Sequence, residues 1–162
     1  MKKEDLKIRT EPKESDITAI EDIIRSTGFF RVDEILVAVE LINERLAKGL
    51  SSGYEFLFAD YQGRTIAYSC YGLIPCTLHS YDLYWIASHN DFRNMGIGSY
   101  ILEVTENEIK KSGGYGIYIE TSGKEQYLPT RSFYEKNKYI LKARLNHFYD
   151  RDDDKLIYVK LL

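Results

Sequence analysis

The 162-residue chain is poor in cysteine, proline and tryptophan, and it contains no long apolar run. Its two cysteines, Cys70 and Cys76, have no second pair, and with His79, His89 and His147 they do not form a spaced zinc set, so no metal is expected. Isolated thiols of this kind read as small hydrophobes in a reducing compartment, and a cytoplasmic location is expected. Three prolines, no repeat and no Ser-rich tract leave no linker. The expectation is one domain over 1–162, with residues 1–6 frayed. No stretch approaches the ~18 apolar residues that cross a bilayer. Met1 to Asp16 is charged and lacks the apolar centre of a secretory leader. Neither sign of charge dominates: 22 Lys and Arg stand against 25 Asp and Glu. A weakly acidic chain lacks the basic footprint that grips a phosphate backbone. Neither a nucleic acid nor a membrane is therefore an expected partner.

What the chain does have is 44% hydrophobic residues and 14 tyrosines, enough for a core and for strands. Lys7 to Arg9 reads as a short strand. Ser15 is read as the N-cap of a helix carrying Ile17, Ile20, Ile23 and Ile24 at helical spacing and stopped by Gly28. A second helix is predicted over Val32 to Lys48, with Val32, Ile35, Leu36, Val39, Ile42 and Leu46 as its apolar stripe and Gly49 at its end. Strands follow over Tyr54–Asp60, Arg64–Ile74 and Ser80–Ser88, the first two joined by Tyr61-Gln62-Gly63. A third helix reaches Lys111, with Ile101, Leu102, Thr105 and Ile109 on its buried face. Tyr115–Thr121 is a strand that can pair in parallel with the strand before that helix. Pro129 opens a last helix containing Phe133 and Tyr134. Strands over Tyr139–Tyr149 and Lys155–Leu162 close the chain around the charged turn Asp150 to Asp154. The order β-α-α-β-β-β-α-β-α-β-β is a mixed α/β (α+β) domain.

The strongest chemical signal lies between Tyr84 and Leu102. A strand runs into Arg93-Asn94-Met95-Gly96-Ile97-Gly98-Ser99, which opens an amphipathic helix. The first N–H groups of a helix lack intrahelical partners, and the helix dipole adds positive charge there. Gly96 and Gly98 allow an anion close to the backbone, and Arg93 can add a charge-assisted bond. A dinucleotide fingerprint needs a third glycine where Ile101 stands, and no Gly-Lys-Ser/Thr run marks a P-loop.

Arg93-x-x-Gly96-x-Gly98 resembles the phosphate motif of the GNAT N-acetyltransferase superfamily. Leu83 to Ala87 and Ile117 to Thr121 resemble that family's fourth and fifth strands. Arg131 to Asn137 resembles its Phe-Tyr-Glu-Lys helix, and Asp153 to Tyr158 resembles its closing strand. Two positions depart from the pattern: Asn90 stands where many members have proline, and Lys138 where many have glycine. Asn137 is expected to end the last helix in a left-handed conformation instead.

The resemblance implies a mostly antiparallel sheet whose fourth and fifth strands pair in parallel and splay to form a cleft for acetyl-CoA, the co-substrate. It implies that Ile86, Ala87 and Ser88 hold the pantetheine, and that Arg93, Asn94, Met95, Gly96, Ile97, Gly98 and Ser99 hold the pyrophosphate. A backbone N–H near Ile86 would polarise the thioester carbonyl. Tyr134 would protonate the leaving thiolate, its phenol with a pKa near 10 still carrying its proton at neutral pH. Glu120 matches a glutamate that some members use as a base through water. Asp82 and Tyr84, on one face of a strand, are positioned to bind the acceptor amine. Phe29 and Phe30 are placed either as a wall of the acceptor site or as cover for the sheet. Asp152, Asp153 and Asp154 read as a solvated turn or an attractor of cations. His89 and His147 are expected at the surface or hydrogen-bonded in the core. Transfer is expected to be direct and not through a cysteine. The acceptor would be a small molecule, amino acid or peptide, and a homodimer is a common assembly. A non-catalytic CoA-binding domain and a nucleotide-binding regulator stay open beside the enzyme.

Overall fold

In the computed structural model, residues 3–162 are described. Of the residues expected to fray, Met1 and Lys2 lie outside that range, and Lys3–Asp5 form a 3-10 turn. The strands are β1 (Lys7–Arg9), β2 (Glu55–Tyr61), β3 (Arg64–Leu73), β4 (Ser80–Ser88), β5 (Gly116–Ser122), β6 (Ile140–Asp150) and β7 (Asp153–Leu161). The helices are α1 (Ser15–Ser26), α2 (Val32–Lys48), α3 (Ile97–Lys111) and α4 (Leu128–Lys136). The strands form a mixed sheet in the order β1-β2-β3-β4-β5-β7-β6. Its β4–β5 pair is parallel, while β1–β2, β2–β3, β5–β7 and β6–β7 are antiparallel. The element order matches the one read from the sequence.

Two compact units make up the chain. The first comprises the residues up to Gly72 together with Trp85–Asn107. The spacing of apolar residues in α1 and α2 buries one face of each helix. Ile20, Ile23 and Ile24 of α1 and Ile35, Ala38 and Ile42 of α2 pack with Phe56, Phe58, Tyr68 and Cys70 of β2 and β3. The buried face of α2 is narrower than the predicted stripe: Val32 and Leu36 are 63% and 61% exposed. At ~100° per residue they lie outside the single row that Ile35, Ala38 and Ile42 continue. Ser15 is not the N-cap of α1 but its first residue, after Glu14. No side chain caps the helix start; Asp16, in its first turn, accepts from Lys13 N–H at 2.7 Å. The β2–β3 turn has Gln62 at φ +49° and Gly63 at φ +81°, a two-residue turn whose twist suits an antiparallel pair.

The second unit comprises Leu73–Tyr84 and Glu108–Leu162. Here β4 and β5 are in parallel register from Ser80↔Gly116 to Asp82↔Tyr118. β5 continues in register with β7 to Ser122↔Lys155. Tyr81, Leu83, Ile109, Ile117, Ile119, Leu156 and Tyr158 are buried. The α3–β5 connection is tight: a Cβ on Gly114 would meet Ile109 Cγ2 and lie 2.9 Å from Tyr81 Cδ2. Two expectations are corrected here. Asn137 has φ −90°, and Lys138 takes the left-handed conformation at φ +70°. Asn137 is instead held by its amide, which donates to Phe133 O at 2.8 Å. The acidic turn is also shorter than expected, because β6 and β7 run to Asp150 and from Asp153. Asp153 is buried, accepting from Ser122 Oγ at 2.5 Å and from Gly123 N–H at 3.2 Å. Asp154 is tied to Arg144.

Candidate active site

In the first unit, Ile86, Ala87 and Ser88 end β4 half-buried, with Ala87 against the isoleucine and phenylalanine core. His89 then anchors the chain. Its N–H donates to Ile66 O at 2.8 Å, and its buried ring accepts from Asp91 N–H at 3.2 Å. Asn90 N–H donates to Ser26 Oγ of α1 at 3.0 Å. The chain beyond these anchors is exposed. Arg93 Nη1 reaches Asn90 Oδ1 at 3.3 Å, and Met95 is 55% exposed. Asn94 and Gly96 have φ +62° and +77°. Those two left-handed residues turn the chain into α3, where Tyr100 N–H donates to Gly96 O at 3.1 Å. At this helix start, Ile97 is buried, Gly98 is half-buried and Ser99 is exposed. Buried Ile97, Ile101 and Leu102 fix the helix, and Thr105 Oγ1 meets Ser69 Oγ of β3 at 2.7 Å. Arg93–Gly96 is therefore an exposed loop held at both ends by buried groups. Backbone N–H groups at a helix start, a left-handed glycine and an exposed arginine suit a phosphate.

The role of His89 as the anchor of this loop had no signal in the sequence, where a lone histidine fits surface and core equally. Phe30 lies edge-on to Trp85 at 5.0 Å and packs on the core, with Phe29 at 5.6 Å from Phe30. Cys70 is buried, and burial pushes its thiol well up. A thiol held un-ionised is a poor acetyl carrier. Cys76 is exposed.

In the second unit, α4 presents Tyr134 inward. Its ring is buried among Phe133, Tyr139 and Tyr158, with centroids 5.5–6.0 Å away. Burial raises its phenol above the usual tyrosine value. The loop before α4 is clamped by Arg131, whose Nη1 donates to Ser122 O at 3.0 Å and Lys124 O at 2.7 Å. Glu120 is exposed on β5, and Lys155 Nζ of β7 lies 2.5 Å from its Oε2. Lys155 is itself buried, with its ammonium 3.6 Å from the centroid of the Phe148 ring. This lysine was missed in the sequence, since a strand lysine reads as solvated. Asp82 is half-buried on β4, and its carboxyl is raised by burial and by the charge of Glu120, against Lys155. Tyr84 is 37% exposed. Register places Asp82 beside Tyr118, two residues before Glu120, so Asp82, Glu120 and Lys155 share one face of the sheet.

A family model described as an acetyltransferase (GNAT) domain matches residues 52–141. No curated protein matches the chain. Among solved structures, a GNAT-family protein from Desulfovibrio desulfuricans is 37% identical, covering 96% of this chain and 98% of its own, with a TM-score of 0.94. A ribosomal-protein-alanine N-acetyltransferase from Brucella melitensis is 20% identical, covering 96% and 99%, with a TM-score of 0.77. A GNAT family acetyltransferase from Elizabethkingia anophelis, with acetyl-CoA bound, is 16% identical, covering 99% and 100%, with a TM-score of 0.70. The last two share the fold. The family model and the 37% identity along nearly the whole chain add the lineage: this chain belongs to the GNAT family of acetyltransferases.

Proposed function

We propose that the chain transfers an acetyl group from acetyl-CoA directly to a primary amine of a small molecule, an amino acid or a peptide. The observation that carries this reading is the Arg93–Gly96 loop leading into α3, exposed to solvent yet anchored by His89 before it and by Ile97 and Ile101 after it. The N–H groups at the start of α3 and the Arg93 guanidinium suit the pyrophosphate of CoA. Ile86, Ala87 and Ser88 would hold the pantetheine, and a backbone N–H near Ile86 would polarise the thioester carbonyl as C–N bond formation places charge on its oxygen. Tyr134 would protonate the departing thiolate. Its phenol, raised above the usual tyrosine value by burial, carries its proton at neutral pH.

The test is release of free thiol from acetyl-CoA in the presence of a panel of primary amines. Amine-dependent release, with the acetylated amine identified by mass, is the expected result. Tight CoA binding with no thiol release for any amine would replace this reading with the non-catalytic one.

A further inference from the structure

We infer that Asp82, and not Glu120, takes the proton from the acceptor's ammonium group, because Lys155 holds Glu120 in an ion pair on the same face of the sheet. This rests on the acetyl-transfer reading above.

Across that face the strands run β4, β5, β7, β6. The side chains follow the same order: Asp82, Glu120, Lys155, then the Phe148 ring. Lys155 is enclosed. Its side chain is 11% exposed, its ammonium contacts Glu120 Oε2 at 2.5 Å, and the Phe148 face covers it at 3.6 Å. An ammonium so placed is held in one position, and protonating Glu120 would leave that buried charge without its carboxylate. A buried charge stripped of its partner is costly. Glu120 therefore serves as the counter-ion of Lys155 and is not free to turn to an incoming ammonium.

Asp82 is the opposite case. Its interactions among the described residues are desolvation, repulsion from Glu120 and a weaker attraction to Lys155, with no hydrogen-bond donor. A half-buried carboxylate with no donor is poorly satisfied on its own, and a cationic acceptor would satisfy it. Burial and Glu120 also raise its affinity for a proton, the direction a general base requires. In the step, R–NH3+ gives one proton to the Asp82 carboxylate. The freed amine lone pair forms the C–N bond to the thioester carbon, and the C–S bond breaks with its electron pair on sulfur. Tyr134 protonates that thiolate and is reprotonated by the second proton shed from nitrogen, so one proton, held by Asp82, passes to solvent.

The test compares Asp82→Asn, Asp82→Glu, Glu120→Gln and Lys155→Met with the parent protein. With the best amine found, Asp82→Asn should lower kcat/KM about 100-fold or more, the range of a lost general base. Asp82→Glu should recover part of the loss, and Glu120→Gln, which frees the Lys155 ammonium and removes a charge beside Asp82, should lower kcat/KM less than Asp82→Asn does. A larger loss in Glu120→Gln than in Asp82→Asn overturns the inference. Carboxyl 13C NMR of the free protein supplies a readout that needs no turnover. Asp82 should titrate above the ordinary ~3.9 of an aspartate, and Lys155→Met should move it higher still. An Asp82 that titrates at or below that value overturns the inference whether or not an acceptor is known. Absence of thiol release by the parent protein with every amine counts against acetyl transfer itself, and not against the ordering of these groups.

Discussion

Arg9 Nη1 donates to Asp16 Oδ2 at 2.7 Å, and Asp16 is fully buried. This pair locks the three-residue strand β1 to the first turn of α1. The same guanidinium donates to Asp60 Oδ2 at 2.8 Å and Thr65 Oγ1 at 3.0 Å, and lies 4.2 Å from the centroid of the Phe58 ring. One cation thus joins β1, α1, β2 and β3. Arg9→Met should cost about 3–5 kcal/mol, because it strands two carboxylates away from bulk water. Thermal melting should fall by roughly 6 °C or more in a chain of this size. Arg9→Lys should recover little, since an ammonium cannot bridge three acceptors in a fork. Urea unfolding of the two variants checks this, and a Met variant within 1 kcal/mol of the parent would refute it.

Asp60 gives the same network a pH dependence. Burial raises its carboxyl, but the hydrogen bonds from Arg9 and Thr65 and the charge of Arg9 outweigh that, so it lies below the usual aspartate value. A lowered folded-state pKa means that the unfolded chain binds the proton more readily. The Asp60 contribution is therefore complete above the unfolded value of ~3.9 and fades as pH falls through the lower folded value. The stability gap between the parent and Asp60→Asn should be widest near neutral pH and close on acidification below about pH 4. Urea midpoints at pH 7 and at pH 3 measure it; a gap that does not change between them would remove Asp60 from the acid response.

Much of this fold was legible because periodicity and punctuation agree. Val32–Lys48 and Ser80–Ser88 fall at the residues expected, as do the buried Ile101, Leu102, Thr105 and Ile109 of α3. The turn that opens α3 was legible for a local reason, since two glycines, an arginine and a helix start lie within seven residues. What stayed hidden depends on distance in the chain. Arg9 and Asp60 are 51 positions apart, Ser122 and Asp153 are 31, and Glu120 and Lys155 are 35. Charged residues carry no period of their own, so none of these pairings had a signal in the sequence. Asp153 looked like a surface turn for that reason, and Lys155 was not noticed. The α2 stripe erred differently: Val32 and Leu36 are apolar, but composition does not say which of two adjacent rows meets the core.

The Arg93–Ser99 loop makes a prediction separate from turnover. Gly98→Glu should abolish CoA binding, since it sets a carboxylate at a helix start that would receive a pyrophosphate. Gly96→Ala should weaken binding for another reason, because φ +77° is a left-handed conformation that costs an L-residue roughly 1–2 kcal/mol. Isothermal titration with CoA separates the two. Gly98→Glu should show no heat of binding while its melting profile stays near that of the parent. Unchanged affinity in Gly98→Glu would place the pyrophosphate elsewhere.

Tyr134 separates catalysis from packing. Its ring is held by Phe133, Tyr139 and Tyr158, and no hydrogen bond of its hydroxyl occurs among the described residues. Tyr134→Phe keeps the ring and removes only the hydroxyl, so stability should change by less than about 1 kcal/mol, the net worth of an ordinary hydrogen bond. CoA affinity should also hold. If the phenol delivers the proton to the thiolate, kcat should fall about 100-fold or more. Burial raises this phenol above its ordinary pKa near 10, so it stays protonated through the alkaline range in which free tyrosine ionises. The acid it supplies should therefore not be withdrawn as pH rises to about 10, and the parent's kcat should show no alkaline loss from this group. Thiol-release kinetics across pH, run beside melting curves for both proteins, test the whole argument. A Phe variant with parental kcat would make Tyr134 a packing residue, and a variant that loses stability and activity together would show that the hydroxyl holds α4 in place.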